Sequence, residues 1–249
     1  MRNGKYLLAI PAFNEDRHVA RMVRSAKRYI QDILVVDDGS TDATEAVLRD
    51  IPDISVIRHR HNLGYGASLR DTFDYAIGTG YEWLLTMDCD EQHEPSAIPG
   101  FIAVAEEGEA DIVSGSRYLL PPEEGHNAPK NRRIINARIT KLLNRCLGLG
   151  LTDAFCGFKA YRTESLGKLP ITLTGYAMPL QLWVQAARAG LRIVEFPVRL
   201  IYNDPMRRFG GGLDDAAVRY THYLNVLNAE LTSAGYAPLV AARPACHVC

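Results

Sequence analysis

The chain is predicted to fold as an α/β protein around a mostly parallel sheet, and three observations carry that prediction. From Lys5 to Ser116 short apolar runs alternate with longer amphipathic segments, the pattern of consecutive βα units. The run Leu84 to Met87 is closed abruptly by polar residues and then by Pro95, which can open a helix, so it reads as a buried strand. Clusters rich in carboxylates follow the first, second and fourth runs, placing their side chains at the carboxyl ends of strands, where open α/β sheets bind ligands.

The expected strands of this first part are Tyr6 to Ile10, Ile33 to Val36, Ser55 to Ile57, Trp83 to Met87 and Ile112 to Ser114. Helices are expected over Asp16 to Tyr29, Asp42 to Asp50, Tyr65 to Thr79 and Pro95 to Glu106, the second opened by the capping cluster Ser40-Thr41-Asp42. After Arg117 the pattern changes to a loop rich in Pro, Gly and charge, Leu120 to Lys130. A helix then runs from Arg132 to Leu147, with Ile135, Ile139, Leu142, Leu143 and Cys146 on one face and Arg138, Lys141 and Arg145 off it. Phe158 to Tyr161, Pro179 to Ala189 and Ile193 to Val198 read as strand, helix and strand, and the last helix as Asp214 to Leu231. Residues 1–231 are thus expected to form one domain with a carboxy-terminal helical extension, and residues 232–249 a poorly ordered tail.

At 249 residues, 47% hydrophobic and 23% charged, the chain can bury a full core. A formal net charge of -1 argues against nucleic acid as a partner. No run of about 18 apolar residues is present and the amino terminus enters a strand almost at once, so the expected location is cytoplasmic, or peripheral at the inner face of a membrane. Five cysteines at unrelated spacings read as reduced thiols. Cys246-His247-Val248-Cys249 offers three zinc ligands where a structural site needs four, and reads as a frayed tail.

The chemistry concentrates in Asp88, Asp90 and Gln92, two carboxylates and an amide that form a hard, oxygen-only set suited to Mg²⁺ or Mn²⁺ shared with a substrate diphosphate. Pro11-Ala12-Phe13-Asn14-Glu15 and Asp37-Asp38-Gly39-Ser40 stand at two other strand ends. Carboxylates there can accept hydrogen bonds from ribose hydroxyls or base N–H groups. Each cluster alone also reads as an ordinary turn with a cap.

Together with Asn62-Leu63-Gly64-Tyr65-Gly66-Ala67, Gly115-Ser116-Arg117 and Gly157-Phe158-Lys159-Ala160, these segments resemble the family 2 glycosyltransferases, and within them the polyprenyl-phosphate sugar synthases of the dolichyl-phosphate mannose synthase type. The resemblance covers Leu7 to Pro197. It implies a GT-A fold, a nucleotide diphosphate sugar as donor, of the GDP-mannose or UDP-glucose type, and inversion at the anomeric carbon. By similarity Pro11, Asn14, Glu15, Asp37, Asp38 and Gly66 would hold the nucleotide together with Asp88, and Asp88, Asp90 and Gln92 would hold the metal. His93 would contact a phosphate or a metal-bound water.

On the acceptor side the resemblance points to Arg117, and to Arg132 with Asn136 in place of the family's serine, as ligands of a polyprenyl phosphate. A planar guanidinium can donate two hydrogen bonds to such a phosphate at once. Where the synthases carry Arg-x-x-Gly-x-Ser-Lys this chain has Tyr202-Asn203-Asp204-Pro205-Met206-Arg207-Arg208-Phe209-Gly210, from which Arg207 or Arg208 would reach the diphosphate. The basic helix from residue 132 to 147 reads either as a membrane-surface contact or as a core helix with a solvated face. A phosphate acceptor needs no protein base, whereas a sugar hydroxyl does. Asp153 is therefore the candidate base if the acceptor is a glycan hydroxyl, with Asp90 and Arg117 as the other candidate catalytic residues. A catalytically silent subunit that binds a nucleotide sugar is the alternative from another class.

Overall fold

The computed structural model describes residues 4–121, 128–202, 209–210 and 212–239. Its strands are β1 Tyr6–Ala12, β2 Ile33–Asp37, β3 Ser55–Arg58, β4 Trp83–Thr86, β5 Ile112–Ser116, β6 Lys159–Arg162 and β7 Ile193–Pro197. They form a single sheet in the order β3-β2-β1-β4-β6-β5-β7. β6 runs antiparallel to both of its neighbours, and the other pairs are parallel. The helices are α1 Val19–Ala26, α2 Thr44–Arg49, α3 Tyr65–Thr79, α4 Ile98–Glu106, α5 Lys130–Leu147, α6 Thr163–Leu166, α7 Met178–Arg188 and α8 Ala216–Ser233.

The two-residue period of the strands divides the core between the faces of the sheet. Leu7, Ala9, Leu34, Val36 and Leu84 join one cluster with Phe73, Ile139, Trp183 and Leu227 of α3, α5, α7 and α8. Leu8, Ile10, Ile33, Val35, Trp83 and Leu85 join the other with Val23, Leu48 and Phe101 of α1, α2 and α4. The apolar face of the basic helix α5 is thus spent on the core, through buried Ile135, Ile139 and Leu143.

Every expected strand and helix is present, and the differences lie at ends. β1 continues through Pro11 and Ala12, which pair with Val36 and Asp37. α2 begins at Thr44, not Asp42, because the Asp42 carboxylate accepts from the N–H of Thr44 at 2.9 Å and from the N–H of Asp16 at 3.2 Å. That residue ties the loops before α1 and α2 together instead of entering a helix. α8 runs to Ser233, and Ala234, Tyr236 and Leu239 of the expected tail pack against the core. Residues 240–249, and with them Cys246 and Cys249, lie outside the described residues, whereas Cys89, Cys146 and Cys156 are free thiols.

Four parallel strands, β1, β2, β4 and β5, deliver their carboxyl ends to one edge of the sheet. The reversal of β6 brings its amino end, preceded by Cys156-Gly157-Phe158, to that same edge. Leu84, fully buried at the sheet centre, sets the expected energetic scale. Leu84→Ala should lower the unfolding free energy by roughly 3 kcal/mol, seen as a lower denaturant midpoint at unchanged slope. A loss under about 1 kcal/mol would be incompatible with close packing of β4.

Candidate active site

The strand ends open into a cleft of about 790 Å³. Its walls include Pro11, Asn14, Glu15, Asp38, Asp88, Asp90, Gln92, Arg117, Arg132 and Asn136. The sequence-predicted residues from both halves of the expected site are therefore brought into one cavity. Asp37 and Gly66 do not line it. Asp37 is fully buried, accepting from the Ser40 N–H at 2.9 Å and lying 3.4 Å from Arg58 Nε, so it shapes the turn after β2. Gly66 sits where a Cβ would come within 2.2 Å of the Leu173 carbonyl oxygen, and its N–H donates to Thr174 O at 2.7 Å. Its role is to let the start of α3 touch that backbone. Arg207 and Arg208 lie outside the described residues.

At one end of the cleft, the loops after β1 and β2 lock each other. Asn14, in the left-handed region at φ 56, accepts from the Thr41 N–H at 2.8 Å, and its own N–H donates to Ser40 Oγ at 2.9 Å. Asparagine tolerates this conformation better than most residues. The buried Asp38 carboxylate accepts from the N–H groups of Leu63 and Gly64 at 2.8 and 2.9 Å and is 2.6 Å from His59 Nδ1. His59 Nε2 lies 2.8 Å from Asp71 Oδ2, so the imidazole bridges two carboxylates. Burial works against its charged form, but the hydrogen bonds and charges of Asp38 and Asp71 prevail and raise its pKa above 6.5.

Next along the edge, Asp88 Oδ1 accepts from the Tyr65 hydroxyl at 3.1 Å and Oδ2 lies 3.3 Å from His93 Nε2. Asp90 Oδ1 accepts from the Gln92 N–H at 3.1 Å. A Cβ on residue 157 would fall 2.2 Å from Asp88 Oδ2, so glycine there leaves the space the carboxylate occupies. Among the described residues no three His, Cys, Asp or Glu side chains form a metal-holding group by themselves. The donor set nonetheless fits a hard cation: Asp88, Asp90 and Gln92 line the same cleft and can each offer an oxygen donor, which leaves positions for phosphate oxygens and water.

Across the cleft, Asp153 is placed differently from the expectation of a base. It is 0% exposed and does not line the cavity. Its oxygens accept from Arg117 Nε at 2.7 Å, Arg117 Nη2 at 3.0 Å, Asn136 Nδ2 at 2.7 Å and the Phe155 N–H at 3.1 Å. Burial alone would push its carboxyl up, yet the Arg117 charge and these hydrogen bonds hold it at about 2. A carboxylate so saturated and so weakly basic is poorly suited to take a proton from a substrate. What it does is fix the guanidinium of Arg117 and the amide of Asn136, the latter also accepting from Thr140 Oγ1 at 2.9 Å.

Two residues of this region were not among the candidate site residues. Lys159 is buried, its pKa lowered chiefly by burial, and it puts positive charge among Asp88, Asp153 and Cys156. Arg219 of α8 lines the cleft although it is 3% exposed. Lys159 is the first residue of β6 and entered only as part of a quoted motif, and Arg219 stands in an amphipathic helix, where a charged residue reads as solvated. Only the fold turns them inward.

A mostly parallel sheet with one reversed strand, carrying acids at the ends of β2 and β4 and a fixed arginine at the end of β5, is the GT-A-like architecture of glycosyltransferases. The chain belongs to glycosyl transferase family 2, whose sequence profile matches residues 8–169. It is 32% identical to the polyprenol monophosphomannose synthase of Mycolicibacterium smegmatis, over 77% of this chain and 76% of that one. Identity to the undecaprenyl-phosphate mannosyltransferase of Micrococcus luteus is 29%, over 88% and 93%. In fold it is similar to glucosyl-3-phosphoglycerate synthase from Mycobacterium tuberculosis, in complex with Mn²⁺, UDP-glucose and phosphoglyceric acid, at TM-score 0.68 and 20% identity, over 94% of this chain and 81% of that one.

Two outcomes follow from this geometry. His59 has a folded pKa above its ordinary 6.5, so its stabilising contribution is complete below 6.5 and is lost as pH rises through the raised value. The unfolding midpoint of the wild type should therefore fall on that alkaline side more than that of His59→Asn, and parallel profiles would remove the bridge from the account. Gly157→Ala should leave the fold intact while displacing Asp88, weakening nucleotide binding in the presence of Mn²⁺ by at least about tenfold, as read by calorimetry. Unchanged binding would mean that Asp88 does not need that space.

Proposed function

We propose that the protein transfers a sugar from a nucleotide diphosphate sugar to the phosphate of a polyprenyl phosphate, in a single displacement that inverts the anomeric carbon. The observation that carries the reading is the buried Arg117–Asp153 pair. It holds a cation at the wall of the cleft that Asp88 and Asp90 also line, and it engages Asp153, the candidate base among the described residues. A phosphate attacks without deprotonation, so such a wall suits it and does not suit a sugar hydroxyl.

In this reading Asn14, Glu15 and Asp38 hold the nucleoside, with Pro11 against it, and Asp88, Asp90 and Gln92 would hold Mg²⁺ or Mn²⁺. The cation supplies neutralisation of the charge that grows on the departing nucleoside diphosphate. Arg117 orients the acceptor phosphate, and Arg132 adds charge from the first turn of α5. Asp153 and Asn136 act as positioning residues. GDP-mannose and UDP-glucose are both candidate donors. The relatives named for polyprenol and undecaprenyl phosphate support the acceptor class.

A lipid acceptor has a second support. Leu119, Leu120 and Ile134 are large apolar side chains left exposed, with Tyr118 beside them, in the segment after β5 and at the start of α5. Arg133 is exposed next to Ile134. Apolar side chains flanked by basic ones favour an anionic membrane surface, and this one adjoins cleft residues Tyr118, Ala128 and Ile135. Among the described residues no helix is long and apolar enough to cross a membrane.

Calorimetric titration with UDP, GDP and their glucose and mannose conjugates, with and without Mn²⁺, tests the donor side. Binding should require the cation and fall at least about tenfold in Asp90→Ala, and sugar should move to undecaprenyl phosphate with the preferred donor. Nucleotide binding without any transfer would favour the silent subunit, and absence of nucleotide binding under every condition would overturn the transferase reading.

A further inference from the structure

Arg219 enters the cleft from the first turn of α8. Its Nη1 donates to the carbonyl oxygens of Leu213 and Asp214, at 2.5 and 3.4 Å, while its buried Nη2 has no hydrogen-bond partner among the described residues. The nearby carboxylates are committed elsewhere: Asp214 accepts from the Phe209 N–H at 2.7 Å, and Asp215 caps α8 by accepting from the N–H groups of Ala217 and Val218. Arg219 thus keeps a charge out of water with part of its fork unused. An unmatched buried guanidinium is costly unless a ligand completes it.

Arg132 shares its surroundings. Its guanidinium carbon lies 4.4 Å from the centroid of the Phe209 ring, and that of Arg219 lies 4.6 Å from the same centroid. Burial, and the nearness of Arg132, both depress the pKa of Arg219. Two guanidinium groups on one ring repel, and an anion between them turns that repulsion into attraction. The ring itself connects to the metal acids through stacked aromatics: Phe209 packs edge-on to Tyr176 at 5.4 Å, Tyr176 stacks on Tyr65 at 6.0 Å, and Tyr65 donates to Asp88.

We propose that Arg219 and Arg132 form a dianion site around Phe209, which receives the phosphate monoester group of the acceptor. Such a group carries a charge of about −1.5 to −2 near neutral pH, and the buried Nη2 of Arg219 offers it a donor that nothing else among the described residues uses. The proposal rests on the transferase reading and adds to its acceptor site a binding residue from the carboxy-terminal helix, Arg219.

The test is calorimetric binding of inorganic phosphate, glycerol 3-phosphate and farnesyl phosphate to the full chain, without nucleotide. Wild type should bind phosphate monoesters, Arg219→Gln should weaken them at least about tenfold, Arg219→Lys should be intermediate, and the Kd for nucleotide should stay within about twofold. Tighter binding of farnesyl phosphate than of glycerol 3-phosphate identifies a lipid source, and equal binding a soluble one. If Arg219→Gln does not fold, Arg219→Lys decides by the same criterion, since it keeps the charge and loses the second donor nitrogen of the fork. Phosphate binding equal in wild type and variants, or absent from wild type, overturns the site. Arg219-dependent phosphate binding without sugar transfer would instead keep the site and overturn the transferase reading.

Discussion

Asp153 carries a full negative charge where water does not reach, and four parts of the chain are arranged to tolerate it. Arg117 comes from the end of β5, Asn136 from α5, Phe155 from the following loop, and Glu195 of β7 holds the preceding turn by accepting from the Thr152 and Asp153 N–H groups. Removing any one donor would leave a buried carboxylate underpaired, so strand, helix and loop are bound to a common geometry. The direction of the Arg117 side chain is a by-product of that constraint. A residue that never meets the cleft therefore determines what the cleft presents.

The loops after β2 and β3 use the same device with different partners. Asp38 is immobilised by two backbone N–H groups and by His59, which is itself steadied by Asp71 on α3. Both halves of the site thus rest on carboxylates whose orientation is set before any ligand arrives. Preorganisation of this kind removes the ordering cost from binding and places it in folding.

The sheet was legible because strand and helix periods are written directly in the apolar residues, and Leu7 to Ile10 alternates between faces as its period requires. The acids were legible because they stand immediately after apolar runs, so that no long-range information is needed to place Asp88 or Asp90. Asp153 was harder: a loop carboxylate has the same local sequence whether it faces a substrate or an arginine, and only the convergence of Arg117 and of Asn136 from α5 upon it distinguishes the two. Asp37 and Asp38 illustrate the same limit at one-residue scale, since adjacent side chains of a strand end point oppositely and only one meets the cleft. Arg219 depended on α8 returning across the molecule, a contact between distant parts of the chain that no local pattern encodes.

The reversed strand β6 has a consequence for the family of reactions this sheet can serve. Because β6 lies between β4 and β5, the ends that carry Asp88 and Arg117 are two strand spacings apart, roughly 10 Å at the usual separation of paired strands. Backbone hydrogen bonds fix that interval, and no side-chain substitution alters it. The sheet acts as a jaw of constant width, so larger sugars or bulkier acceptors have to be accommodated by the loops above it, and divergence in specificity should accumulate there while the ends of β4 and β5 stay still.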